Sequence, residues 1–214
     1  MDINVPGAPA VRLAERRAPR AERLRAERLR PRNYILTGTP GAGKTTLIGH
    51  LRDHGHAVVE ESFMSVWRRL RAEGCADPLA DESFIDRVVQ LQSEREQAAR
   101  LCEAPCRYFD RSFLCTLALS DFMGRPASRL LLREIERAQA EAIFARDVFF
   151  IRDLGYVPGN EVGTMTYEDA LAFAEVHRRV YAAHGYNCID IPALPVEARV
   201  RLILEHSERG ARQE

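Results

Sequence analysis

The sequence predicts an α/β protein built on a parallel β-sheet with helices on both faces. Three observations predict it. Short apolar runs alternate five times with segments of helical periodicity. The runs are only three to five residues long and mostly apolar, as in strands covered on both sides. The 214 residues, 46% of them hydrophobic, suit one domain of ordinary size and leave little room for two.

Taken in order, residues 1–9 contain Pro6, Gly7 and Pro9 and read as disordered. Residues 10–30 read as an Arg/Glu-rich amphipathic helix, broken at Pro19, with Leu24 and Leu29 among its few apolar positions. A first strand is read at Tyr34–Thr37 and a helix from Lys44 to about His54. A second strand follows at Ala57–Val59 and a helix from Ser62 to about Glu73, with Phe63, Val66, Trp67 and Leu70 at helical spacing. A long helix spans Asp81 to about Glu103, with Phe84, Ile85, Val88 and Val89 along one side. The third strand is Arg107–Phe109. Helices at Phe113–Met123 and Ser128–Ala145 are parted by Gly124 and Pro126. The fourth strand is Asp147–Ile151, and residues 153–166 form a glycine-containing loop. Tyr167–His184 is helical, Cys188–Ile191 is the fifth strand, and a closing helix runs from Pro195 to about His206. The organisation is therefore an Arg-rich arm, 1–32, and one domain, 33–214.

Charge narrows the function. The chain is neutral, with 31 basic and 31 acidic residues, which argues against a general nucleic-acid binder. The charge is uneven. Residues 1–32 hold nine Arg and four acids, a net +5 that the remainder balances at −5. This arm is a solvated element or a docking element for a protein partner, and a nucleic-acid substrate is expected only if the arm holds the strand. No run of about 18 apolar residues exists, and no apolar leader is read at the start, so a cytoplasmic protein that contacts no membrane is expected. The five cysteines and six histidines fall in no metal-site spacing; the cysteines read as free thiols.

The chemistry begins after the first strand. Gly38-Thr39-Pro40-Gly41-Ala42-Gly43-Lys44-Thr45, followed by Thr46, matches the phosphate-binding pattern G-x-x-x-x-G-K-[ST]. Glycines let consecutive backbone N–H groups turn toward phosphate oxygens, and the helix that follows presents its N-terminus. Lys44 is the only lysine in the chain. A compact ammonium suits the β- and γ-phosphates where the broad fork of arginine does not. The Thr45 hydroxyl is placed to ligate Mg²⁺.

Two acidic clusters fall at the carboxyl ends of neighbouring strands, where ligands of parallel sheets bind. Glu60-Glu61 follows the second strand and Asp110-Arg111-Ser112 the third. Asp110 is a candidate for holding a Mg²⁺-bound water. Either glutamate is a candidate base toward a substrate hydroxyl, and Arg111 a candidate to neutralise transferred charge. Each cluster also has a plain structural use: an acidic pair at a helix start, and an N-cap supplied by Asp110 or Ser112. Phe63, Trp67, Arg71, Phe84, Arg87, Gln90 and Gln92 fall in the two helices between the second and third strands. Trp67 and Arg87, with Glu60 and Arg152, are the candidate acceptor-substrate contacts, although the helical spacing of the aromatics fits core packing as well.

Four segments together, GTPGAGKTTLIGHLRDHGHAVVEES, YFDRSFLCTLAL, VFFI and VHRRVYAAHGYNCIDIPALPVEARV, resemble the AAA_28 group of small P-loop ATP/GTP-binding proteins. That group is related to nucleoside- and nicotinamide-riboside-kinase-like P-loop kinases. The resemblance covers about residues 33–206. It implies a P-loop NTPase fold: a five-stranded parallel sheet in the order 2-3-1-4-5, flanked by helices, with a lid loop. It implies a Mg²⁺–nucleoside triphosphate, ATP or GTP, as ligand. It further implies Glu61 as substrate base beside an Asp110-Arg111 pair. Two departures stand out. The loop stretch Asn160-Glu161-Val162-Gly163 lacks the arginine that often covers the phosphates, which leaves Arg152, Arg178 and Arg179 to stand in. Met64 occupies the position, three residues after the second-strand acid, where an arginine often stands.

The expected function is an ATP-dependent small-molecule kinase that transfers the γ-phosphoryl group to a metabolite hydroxyl. The alternative is a nucleotide-dependent switch with slow hydrolysis that acts on a protein partner. The absence of N-K-x-D argues against a standard GTPase. The chain is too short for the helical lid domain of a mechanical AAA+ machine.

Overall fold

The computed structural model describes residues 31–156, 162 and 165–212. The arm at 1–30 and most of the expected lid loop lie outside the described residues. Five strands alternate with seven helices among them. In chain order these are β1 (Arg32–Gly38), α1 (Lys44–Asp53), β2 (Ala57–Val59), α2 (Ser62–Ala72), α3 (Phe84–Ala99), β3 (Cys106–Asp110), α4 (Phe113–Phe122), α5 (Arg129–Ala140), β4 (Asp147–Ile151), α6 (Tyr167–Ala183), β5 (Asn187–Ile191) and α7 (Val196–Arg212).

The strands form one sheet in the order β2-β3-β1-β4-β5, and every neighbouring pair is parallel. This is the order the family resemblance implied. Side chains of β1 alternate between two apolar layers. Tyr34 and Leu36 pack with Leu47, Ile48 and Leu51 of α1 and with Val200 and Ile203 of α7. Ile35 packs on the other face with residues of α2 to α6, among them Val66, Val89, Phe113, Leu131 and Tyr181. Both faces are covered, which is why the strands carry no polar alternation.

Four helix boundaries differ from the sequence reading by three residues or more, each for a local reason. α3 ends at Ala99 and not near Glu103, where Leu101 N and Cys102 N turn back to Ala98 O and Ala99 O, both at 3.1 Å. α3 begins at Phe84 and not at Asp81, because the Asp81 carboxylate accepts from Ser83 N and Ser83 Oγ, both at 2.7 Å, and holds a turn ahead of the helix. α5 stops at Ala140 and not at Ala145. Ala142 takes a left-handed φ of 47°, which drops Ile143 and Phe144 into the core. Asn33 then bonds both sides of that turn, donating Nδ2 to Ile143 O at 2.8 Å and accepting from Ala145 N at 2.9 Å. α7 runs to Arg212, past the expected end near His206. Its last turns lie across the start of β1: Tyr34 Oη donates to Ser207 O at 3.3 Å, and a Cβ at Gly210 would stand 3.1 Å from that same hydroxyl.

The topology places the ends of the strands in one row. β1 lies between β3 and β4, so the turn after β1 opens at the middle of the carboxyl edge. The register pairs Leu36 with Asp110, Gly38 with Ile151, and Val59 with Phe109. The segments that leave β2 and β3 therefore clear the edge at the same height, on one side of the β1 turn.

Candidate active site

Gly38 closes β1 with a φ of 124°. A Cβ there would lie 2.3 Å from the Ile151 carbonyl oxygen, so only glycine allows β4 to approach this closely. The chain then turns back on itself, with Ala42 N donating to Thr39 O at 3.2 Å. Gly43 precedes α1 with a left-handed φ of 83° and makes no side-chain cap. The first N–H groups of α1 therefore have no capping side chain, the arrangement in which a helix start binds an anion.

Lys44 is buried and lies across this loop. Its Nζ donates to Thr39 O at 2.8 Å and to Gly38 O at 3.2 Å. Burial and the nearby Arg111 cation pull its pKa down to about 7, against the opposing pull of Asp110 and Glu61. Thr45, the next residue, donates its hydroxyl to Asp110 Oδ2 at 3.3 Å. Burial and Glu61 push the Asp110 carboxyl up to about 6, with Arg111, Lys44 and Thr45 opposing. Asp110 Oδ1 is buried and has no hydrogen-bond partner among the described residues.

An orphaned carboxylate oxygen beside a hydroxyl and a phosphate loop is the donor set that magnesium uses. Magnesium takes one or two protein oxygens and completes its shell with water and phosphate, so the pair Thr45 and Asp110 fits it.

Glu61 and Arg111 complete the cluster. Arg111 Nε donates to Glu61 Oε1, and both side chains are 18% exposed. The backbone of Arg111 has a φ of 74°, in the left-handed region that non-glycine residues rarely enter. This turn lets Arg111 N continue the sheet ladder to Leu36 O at 3.0 Å and lets Ser112 cap α4 through Leu114 N. It also sends the guanidinium toward β2. Burial alone would lower the Arg111 pKa, but Glu61, Cys115 and Asp110 hold it above its ordinary value. The cluster therefore holds two cations, Lys44 and Arg111, and two carboxylates, Asp110 and Glu61.

The structure separates the remaining candidates. Glu60, adjacent to Glu61, faces the other way and pairs with Arg52 at 2.8 Å, with both side chains more than half exposed. Trp67 packs half-buried on the core, with the Arg71 guanidinium 5.8 Å from its ring centre. Phe63 and Phe84 meet edge to face at 5.1 Å. Arg87 lies at the outer end of α3, paired with Glu73 at 3.4 Å and bonded to Ser83 Oγ at 3.0 Å. Gln92 is buried with its Oε1 unpartnered among the described residues. Arg152, just after β4, stands 3.7 Å from Asp190. Arg178 binds the same carboxylate and lies 3.8 Å from the centre of the Phe150 ring.

Several residues at the site went unread in the sequence. Arg95 of α3 donates Nη1 to the carbonyls of Glu60 and Glu61 and Nη2 to Ser65 Oγ at 3.0 Å, and so holds the Glu61 segment from below. Tyr181 Oη bonds Ser112 Oγ at 2.6 Å and Cys115 Sγ at 3.2 Å, and Thr37 Oγ1 stands 3.1 Å from that sulfur. This buried polar chain ties α6 to the end of β1 and to the Asp110-Arg111 turn. Arg199 of α7 lies against the phosphate loop. No motif marks Arg95 or Arg199 in a sequence that holds 30 arginines.

Comparison with known proteins agrees with this geometry. The AAA_28 family model, an AAA domain, matches residues 33–199. No curated protein matches the sequence. Among solved structures, a deoxyadenosine kinase from M. mycoides with products dCMP and a flexible dCDP bound aligns at a TM-score of 0.56 and 14% identity, over 83% of this chain and 99% of that one. The same kinase with bound dATP aligns at a TM-score of 0.53. The NadR protein in complex with NAD and AMP-PNP aligns at a TM-score of 0.59 and 14% identity, over 83% of this chain and 50% of that one. At this identity the neighbours share the fold, that of the P-loop kinases.

Proposed function

The chain belongs to the AAA_28 family, and from that premise we propose that it is an ATP-dependent kinase, transferring the γ-phosphoryl group to a hydroxyl of a small metabolite. The observation behind this reading is the Glu61–Arg111 pair beside Lys44 and Asp110. A carboxylate at this place serves either an acceptor hydroxyl or a water as nucleophile, and the fold shared with kinases favours the hydroxyl. A kinase needs such a carboxylate, because the acceptor hydroxyl must lose its proton as it attacks.

The roles follow from the atoms. The loop from Gly38 to Thr46 binds the phosphates through its backbone N–H groups. Lys44 exchanges its two carbonyl partners for β- and γ-phosphate oxygens. Thr45 and Asp110 would hold Mg²⁺, which would supply neutralisation of phosphate charge. Glu61 accepts the acceptor's proton. Arg111 keeps the Glu61 carboxylate aimed and lies close enough to offset the charge that moves to the acceptor. The order of events is positioning first and proton transfer second; positioning does most of the catalytic work in phosphoryl transfer. One structural neighbour is by name a deoxyadenosine kinase and another is in complex with NAD and AMP-PNP, which makes nucleosides the first acceptors to try.

The test is incubation with Mg²⁺, γ-labelled ATP and a nucleoside panel or metabolite extract, followed by mass spectrometry. A phosphorylated product that disappears with Lys44→Ala is expected. Label recovered only as inorganic phosphate overturns the kinase reading in favour of a nucleotide switch.

A further inference from the structure

Arg199 is a buried cation without an anion. It is 2% exposed, and no salt bridge among the described residues includes it. Its Nη2 donates to Ala42 O at 2.8 Å and reaches Arg152 O at 3.5 Å. Its Nε is buried with no partner among the described residues. Its Nη1 would stand 3.4 Å from a Cβ at position 43, so the guanidinium reaches both residues of the Ala42–Gly43 peptide. An unpaired charge in such a place costs free energy that two carbonyl dipoles only partly offset.

We propose that Arg199 is a positioning residue of the phosphate site: it sets the Ala42–Gly43 peptide of the loop, ties that peptide to the residue that leaves β4, and lends its charge to the bound polyphosphate. The inference rests on the nucleotide-binding reading above. Its physical basis is the planar trans peptide, in which C=O and N–H point in opposite directions. By taking the Ala42 carbonyl on the outer side, Arg199 turns the Gly43 N–H toward the inner side of the loop, where phosphate oxygens bind. The fork of arginine can hold Ala42 O and Arg152 O with one nitrogen while a second nitrogen lies over Gly43; an ammonium cannot span these positions. The loop and Arg152 at the end of β4 therefore share one anchor. Among the described residues the charge has no carboxylate to cancel it, and its burial reduces the screening between it and a polyphosphate on the loop.

A charge behind the phosphate loop has a signature that a merely structural contact lacks. Its effect grows with the number of phosphates on the ligand. The measurement is calorimetric affinity of the full chain for Mg·ATP, Mg·ADP and AMP, at low and moderate salt, for wild type, Arg199→Met and Arg199→Lys. For Arg199→Met, ATP affinity is expected to fall roughly tenfold, ADP affinity by less, and AMP affinity hardly at all. Arg199→Lys recovers part of the ATP loss because it restores charge without the fork. ATP affinity equal to wild type in a folded Arg199→Met protein overturns the inference. So does an equal loss for ATP and AMP, which would mark a structural role only. Should Arg199→Met not fold, Arg199→Lys decides alone: weaker ATP with unchanged AMP supports the inference, and wild-type binding of both overturns it. Wild-type protein that binds none of the three overturns the nucleotide reading itself, an outcome separate from the others.

Discussion

Thr45 donates its hydroxyl to one oxygen of Asp110 at 3.3 Å, and the other oxygen, Oδ1, is left buried with no partner. Such an atom is costly unless a ligand satisfies it. Asp110→Asn keeps the size and the Thr45 contact but removes the charge. The variant is expected to fold, to require much more Mg²⁺, and to lose at least about 100-fold in phosphoryl transfer. A Mg²⁺ titration of activity checks this; a wild-type Mg²⁺ requirement would remove Asp110 from the site.

Lys44 uses its compact charge on two carbonyls that also border the loop interior. Lys44→Arg and Lys44→Ala are both expected to lose ATP binding by calorimetry, because the broader guanidinium does not fit between Gly38 O and Thr39 O. Tight ATP binding by Lys44→Arg would show that charge alone suffices.

Glu61→Gln leaves the side chain the right size to meet Arg111 but cannot take a proton. The expected result is a kcat lower by about 10²–10⁴ with nucleotide affinity nearly unchanged. A loss confined to KM would assign Glu61 to binding instead of proton transfer.

Arg95 holds the Glu61 segment through its carbonyls. Arg95→Ala is expected to lower kcat about 10- to 100-fold through misplacement of the Glu61 carboxylate, with ATP affinity preserved. Steady-state kinetics beside calorimetry separates this from a general loss of fold.

Tyr181→Phe removes one hydroxyl that bonds both Ser112 and Cys115 in a fully buried place. It is expected to lower stability by about 1–3 kcal/mol, because Ser112 Oγ and Cys115 Sγ lose a buried hydrogen bond and Ser112 keeps only the bond from Leu114 N. Gly38→Ala is expected to lower it by at least about 2 kcal/mol, through the collision with Ile151 O and the left-handed φ. Urea denaturation reads both, and a Gly38→Ala protein as stable as wild type would show that β4 can move away.

Much of this protein was legible from residue order alone. Local rules are short-range, and they suffice where the signal is short-range. The apolar runs marked five strands, and the glycines around Lys44 marked the phosphate loop after the first of them. The sequence placed Glu61 and Asp110-Arg111 at strand ends because a parallel sheet brings all carboxyl ends to one edge. Helix ends proved less legible where a distant residue set them, as Asn33 does for the turn after α5 and as the start of β1 does for the tail of α7.

Residue order by itself left both glutamates open; only the family resemblance singled out Glu61, and what supports it was not legible at all. Glu60 and Glu61 are equivalent in a string of letters. The register of β2 on β3 pairs Val59 with Phe109, so that Glu61 and Arg111 leave the sheet side by side and Glu60 is turned out toward Arg52. The left-handed turn at Arg111, the anchor from Arg95, the buried hydroxyl of Tyr181 and the unpaired charge of Arg199 are contacts between elements far apart in the chain. Each depends on the packing of whole helices against the sheet. The sequence by itself determined the fold class and the phosphate loop, because backbone conformation and hydrophobic period are written locally. Tertiary structure decided which charges meet, because Coulomb and hydrogen-bond energies depend on distances that only the packed chain sets.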